Sequence, residues 1–206
     1  MAGEDSQDTG RDGLQRAKQW LDLSTRVRRS WAYDDPTLAE MVAFDWPYAT
    51  GQARSFTFDL GGTFRGDSLN DQSFLAEVKN YRYESNLPTH FRDFLAKCYV
   101  ALGERPRRCD NFLWISWSPF QAQQWNKHAT TEKVRGSLLH EANRLRVLGV
   151  DSEEDAVKKL DVECMAAVAS RVWLITLGDR QEKLVPTEEH YYQMAEMFAR
   201  ERGVGA

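Results

Sequence analysis

Apolar residues recur at three- and four-residue steps from Gly13 to about Phe44, through Leu14, Ala17, Trp20, Leu21, Val27 and Trp31 and then Leu38, Met41 and Val42. That period predicts helix, broken in two at Asp34-Asp35-Pro36 because proline cannot continue it. The pattern then changes. Phe56, Phe58 and Leu60 alternate with Thr57 and Asp59, the period of a strand; turn residues follow at 67–71 (DSLND), and 72–82 (QSFLAEVKNYR) resumes a strand, so the two make a hairpin. Pro88 and Thr89 open a helix whose apolar stripe, Phe91, Phe94, Leu95, Cys98 and Leu102, ends at Gly103. Residues 111–117 (NFLWISW) are almost continuously apolar, as in a strand covered on both faces, and the strand–helix–strand order predicts a right-handed parallel crossover. A long helix over 121–148, a charged segment at 151–160, a second buried strand at 171–177 (RVWLITL) and a closing helix capped by Thr187 complete the order. Tyr191, Met194, Ala195 and Phe198 share one face of that last helix. The expectation is one mixed α/β domain over residues 13–206, preceded by a solvated, disordered tail at 1–12.

The composition agrees with a single folded core: 206 residues with seven Trp and ten Phe. The first dozen residues carry no basic stretch followed by an apolar run, and no segment approaches the ~20 apolar residues that cross a bilayer, so a cytoplasmic location is expected. Cys98, Cys109 and Cys164 are too few and too scattered for a disulfide frame or a zinc site and read as buried thiols. With 27 basic against 31 acidic residues the net charge is −4, which excludes a protein that coats nucleic acid through bulk charge. Two local basic clusters, 26–29 (RVRR) and 105–108 (RPRR), are compatible with solvated surface. The four histidines lack zinc-hydrolase spacing, and the glycines of 59–62 (DLGG) lie inside a strand where a bulge accounts for them better than a phosphate loop does.

Within this frame one stretch is anomalous. In 74–81 (FLAEVKNY) Glu77 and Lys79 stand two positions apart in an apolar strand, so both side chains leave the same face. Buried charge is costly unless it is paired or binds a metal. Ser68, inside the expected turn, lies midway between Asp59 and Glu77, so the hairpin register sets these two acids against each other. Opposed residues of antiparallel strands bring their Cβ atoms within about 4.5–5.5 Å, and two carboxylates that close resist joint ionisation unless a cation sits between them. A hard divalent ion such as Mg²⁺ resolves the conflict.

Asp59, then Glu77-Val78-Lys79 on a strand, then a helix and a buried parallel strand together resemble the PD-(D/E)XK, or restriction-endonuclease-like, nuclease superfamily. The resemblance covers roughly residues 14–118. It implies an αβββαβ core with a mixed central sheet flanked by helices, to which the C-terminal strand and helices are additions. It further implies that Asp59 and Glu77 hold Mg²⁺, for which Mn²⁺ substitutes, that the Val78 carbonyl adds a ligand, and that Lys79 orients or activates the attacking water. Phe58 stands where the family's motif has proline.

The function so implied is metal-dependent hydrolysis of nucleic-acid phosphodiesters, with DNA as substrate and endonucleolytic cleavage, in a setting such as restriction or phage defence. Double-strand cutting calls for two sites, so a homodimer or a partner subunit of a larger complex is expected from that function, not from any residue. The alternative is an inactive module of the same fold that binds nucleic acid or a partner protein. Asp67 is the rival first acid, although its setting in 65–71 (RGDSLND) suits a turn; Glu40 is a candidate additional acid; Asn80 and Tyr81 either touch a phosphate or, the favoured reading, simply end the strand; and His90, Arg92 and Lys97 line the helix beside its apolar stripe, where they face either a phosphate or water.

Overall fold

A computed structural model describes residues 2–80 and 86–203. Helix α1 (Ala2–Ser24) leads into strand β1 (Val27–Ala32). Two short strands, β2 (Ala43–Asp45) and β3 (Ser55–Thr57), pair with each other in a small separate sheet. Strands β4 (Leu60–Phe64) and β5 (Ser73–Lys79), helix α2 (Leu87–Glu104) and strand β6 (Asn111–Ser116) follow. Helices α3 (Thr131–Leu139), α4 (Glu141–Asn143), α5 (Glu153–Lys159) and α6 (Val162–Arg171) precede strand β7 (Val172–Thr176), and α7 (Asp179–Glu182) and α8 (Glu188–Glu201) close the chain. The five-stranded mixed sheet has the order β1-β4-β5-β6-β7, antiparallel from β1 to β5 and parallel from β5 to β7.

The pleat sorts side chains into two layers. Phe74, Ala76 and Val78 of β5 and Leu113 and Ile115 of β6 pack with Leu14, Ala17 and Leu21 of α1. Leu75, Phe112 and Trp114 face the opposite way, against Phe91, Phe94, Leu95 and Cys98 of α2, with α3 and α6 completing that layer. The stripe expected on α2 is therefore the one it buries. Glu77 and Lys79, in phase with Leu75, are directed into the α2 layer.

Several expected elements change form. Residues 27–32 are a strand, not helix: Val27 and Trp31 are both buried four residues apart, an interval that imitates a helical turn, while the register shift between Val27 and Arg29 sends them to opposite layers, Val27 to the α1 side and Trp31 to the α2 side. Thr25 ends the helix, its hydroxyl donating to the Leu21 carbonyl and accepting from the Val27 amide. The strand expected over 56–60 is divided, Ser55–Thr57 belonging to the small sheet and Leu60–Phe64 to the main one, with Asp59 at the junction. Gly61 and Gly62 are required by contact and not by a phosphate. A Cβ at Gly61 would lie 2.7 Å from the Trp31 indole nitrogen, and one at Gly62 would lie 2.3 Å from the Phe74 ring. The helix expected over 121–148 is broken, because Gln121 is left-handed (φ 45°) and Thr130 and His140 are extended. Strand β7 is an edge strand that leaves Trp173 half exposed, so it is less covered than its apolar composition implied. Helix α1 begins at Ala2, ahead of the expected start at Gly13. Thr187 caps α8 as expected, accepting from the His190 amide. Among the described residues no helix is long and apolar enough to cross a membrane.

Candidate metal centre

Strands β4 and β5 keep the expected register, with Leu60 against Ala76, Gly61 against Leu75 and Thr63 against Ser73. Beyond Leu60 the ladder bends. The Asp59 amide donates to the Ala76 carbonyl at 2.9 Å, so Asp59 and Leu60 both address one residue, the two-against-one arrangement of a bulge. Neighbouring main chain pins the junction on either side, the Phe58 amide donating to Val42 and the Tyr33 amide to the Asp59 carbonyl. Asp59 therefore does not simply face Glu77. Its Oδ2 accepts the Val78 amide at 2.7 Å, so the first acid grips the main chain between Glu77 and Lys79.

The three charged residues expected to act together are together. Lys79 Nζ lies 2.7 Å from Glu77 Oε1 and 3.8 Å from Asp59 Oδ2. The other Glu77 oxygen is bound by a fourth residue: Lys97 of α2 places its Nζ 2.8 Å from Glu77 Oε2 and 3.0 Å from the Thr57 carbonyl. Lys97 was visible in the sequence only as a polar position beside the α2 stripe. It follows Phe94 by three residues, and that helical step brings it over the sheet face on which Glu77 stands.

Burial and charge act differently on the two acids. Glu77 is the deeper, its side chain 7% exposed against 27% for Asp59. Burial pushes the Glu77 carboxyl up, but Lys97 and Lys79 outweigh it and hold it ionised below the usual range. The Lys79 ammonium stays 3.8 Å from Asp59, beyond hydrogen-bond reach. Burial first, and the Glu77 charge second, push the Asp59 carboxyl up to about 6 despite the opposing pull of Lys79 and the Val78 amide. His90, on the first turns of α2, is lowered by burial and then by Lys79.

Asp59 and Glu77 are thus a carboxylate pair whose more exposed member is short of positive charge. Among the described residues no three His, Cys, Asp or Glu side chains converge as metal ligands. Two carboxylates with a main-chain carbonyl still suit Mg²⁺, which keeps several waters and draws on substrate phosphate in place of an all-protein cage. The residues fit that ion because Asp59 has no ammonium within hydrogen-bond reach. Zinc chemistry has no such support, since Cys98 is buried in the α2 layer and its thiol is pushed well up by burial.

The other sequence candidates fall outside the centre. Asp67 lies in the β4–β5 turn with a left-handed backbone (φ 49°) and pairs with Arg26 at 2.7 Å, as its turn setting predicts. Glu40 is exposed, and its carbonyl accepts from Arg105. Arg92 neighbours Arg146. Tyr81 lies outside the described residues. Both basic clusters sit toward the other end of the sheet: Val27 pairs with Phe64 beside the β4–β5 turn, and 105–108 precede Asn111, which pairs with Phe74. A recess of about 690 Å³ lined by Trp46, Arg54, Tyr99 and Glu104 opens beside the end of α2 and includes neither acid. Comparisons of the chain with protein-family models, curated proteins and solved structures return no match.

Proposed function

We propose that this chain is a Mg²⁺-dependent nuclease that hydrolyses phosphodiester bonds, with DNA as its substrate and endonucleolytic cleavage as its action. One observation carries the reading: Asp59, Glu77 and Lys79 converge where the ladder of two antiparallel strands ends, with both acids and the lysine within one hydrogen-bonded cluster. The order of elements supports it. Helix α1, the antiparallel strands β1, β4 and β5, helix α2 and the parallel strand β6 make an αβββαβ succession, the arrangement of the restriction-endonuclease-like core, with β7 and its neighbours as the addition. The short strands β2 and β3 are an insertion into that succession.

In this reading Asp59, Glu77 and the Val78 carbonyl hold the ion, which when bound polarises the phosphate and lowers the pKa of an attacking water. Lys79, a donor without a lone pair while protonated, hydrogen-bonds the attacking water or a non-bridging phosphate oxygen and stabilises the charge that grows there. Hydrogen bonding to Val78 fixes Asp59 relative to Glu77, so the ligand pair is set by main-chain geometry before any ion arrives.

The second reading, a catalytically inactive module that binds nucleic acid or a partner protein, also has an observation behind it. Two acids and two lysines balance in charge, so the cluster holds together as an ion-pair network without a metal. Incubation with plasmid, single-stranded DNA and RNA across Mg²⁺ and Mn²⁺ concentrations separates the two. Metal-dependent cleavage that disappears in Glu77→Gln supports the nuclease, whereas absence of cleavage together with absence of metal-induced thermal stabilisation rejects it.

A further inference from the structure

Lys97 holds one of the two oxygens through which Glu77 would bind a metal ion. Its Nζ donates to Glu77 Oε2 at 2.8 Å, while Lys79 takes Oε1 at 2.7 Å, so both oxygens of the deeper acid carry an ammonium group. An incoming cation therefore competes with a cation already supplied by the chain. The two lysines are not equivalent competitors. Lys79 leaves the same strand as Glu77, two residues on, and lies 3.8 Å from Asp59, so its amine remains between the acids whichever one it favours. Lys97 arrives from α2 on a long side chain that is 17% exposed, and it has a second acceptor, the Thr57 carbonyl at 3.0 Å. On giving up Glu77 it keeps that carbonyl as a hydrogen-bond acceptor. The rings of Phe56 and Phe58, centred 6.0 and 5.9 Å from its Nζ, flank the ammonium.

Resting on the nuclease reading of this cluster, we infer that Lys97 is a positioning residue that acts as an internal counter-ion, closing the metal site by holding Glu77 and yielding it only when a divalent ion displaces the ammonium. The geometry has three consequences. The folded chain is stable without metal, because Glu77 is never an unpaired buried anion. Metal affinity is lower than the two carboxylates alone would give, since each binding event must break the Lys97–Glu77 pair. Removing the positive charge at Lys97 must tighten metal binding, whereas a lysine that merely braced the ligands would weaken binding when lost.

The test is calorimetric titration of Mn²⁺ into the wild-type chain and Lys97→Met, which keeps the apolar stem and removes the charge, with thermal unfolding measured in parallel in EDTA and in millimolar Mn²⁺. Lys97→Met should bind Mn²⁺ at least about tenfold more tightly, equivalent to about 1.4 kcal/mol. Its unfolding temperature in EDTA should be lower than that of wild type, and its rise on adding Mn²⁺ larger. Lys97→Gln, whose neutral amide can still donate to Glu77, should shift affinity in the same direction and serves if the methionine variant fails to fold; Lys97→Arg should stay close to wild type. Equal or weaker Mn²⁺ binding by both neutral variants, with the wild type binding normally, overturns the role of Lys97 and leaves the nuclease reading standing. Absence of Mn²⁺ binding by every form overturns both.

Discussion

Replacing Asp59 with Asn should make the metal-free protein more stable at neutral pH. The Asp59 carboxyl stands at about 6 in the folded chain against an ordinary 3.8. Its folded value is raised, so between these two pH values the native state holds a proton that the unfolded chain has lost, and stability falls as pH rises through the window. Above pH 6 the whole cost is present: a difference of about 2.2 pH units at about 1.36 kcal/mol each is about 3 kcal/mol. That is an upper limit, because Glu77 and the two ammonium groups readjust when Asp59 ionises. Asparagine carries no charge and can still accept the Val78 amide, so it removes the cost and keeps the contact. For a chain of this length about 3 kcal/mol corresponds to about 6–12 °C in unfolding temperature. Urea unfolding of both forms in EDTA at pH 8, 6 and 4 measures it: the Asn variant should lead by about 2–3 kcal/mol at pH 8, by less at pH 6 and by almost nothing at pH 4. Saturating Mn²⁺ should reverse the order at pH 8, since only the wild type keeps both carboxylates. An Asn variant less stable at pH 8 in EDTA, or one whose advantage is the same at pH 4, refutes the claim that Asp59 is held ionised at a cost.

Glu77→Ala should abolish metal-dependent cleavage and also lower stability by about 2–4 kcal/mol in urea unfolding, because it strands Lys79 and Lys97 without their shared anion. Asp67→Asn should leave cleavage and metal affinity at wild-type levels and change stability by less than about 1 kcal/mol, its pair with Arg26 being exposed; a dead variant would mean that the turn and not the β4–β5 junction supplies the first acid. Lys79→Ala should lose at least about tenfold in turnover while Mn²⁺ binds no more weakly than in wild type. Plasmid nicking beside a calorimetric titration reads that split, and unchanged nicking would remove Lys79 from the mechanism.

The features legible in the sequence were those carried by local period. The α2 stripe, the double-faced run of β6 and the same-face placement of Glu77 and Lys79 each depend on spacing within one element, and each is present in the structure. The hairpin register was legible too, because turn residues fall midway between Asp59 and Glu77. Features lost were those in which one element disturbs the period of another. In β1 the register shift lets Val27 and Trp31 bury into opposite layers at an interval that imitates a helical turn, which hid the third antiparallel strand. The bend at Asp59 depends on the small β2–β3 sheet drawing Phe58 away toward Val42, a contact with no local signature. Two opposed carboxylates, taken from the strands alone, point to relief of repulsion in Glu77→Ala. Lys97, twenty residues further along the chain, reverses the sign.

The depth of each acid accounts for how the four charges are shared. Glu77 lies under α2, in the layer where Phe94 packs against both Phe58 and Trp114, and an unpaired carboxylate there would cost several kcal/mol. The fold answers with one lysine from the same strand and one from the covering helix, so the Glu77 charge is compensated from within the chain. Asp59 lies nearer the rim and receives one amide and a lysine only at 3.8 Å. Its carboxylate is the one with no ammonium within hydrogen-bond reach, and it is also the one that solvent, an ion or a phosphate would meet first. A purely structural ion-pair network would gain by giving Asp59 its own partner or by replacing it with Asn. Retaining an acid there, braced by main-chain contacts on both sides, makes sense if its close partner is to come from outside the chain.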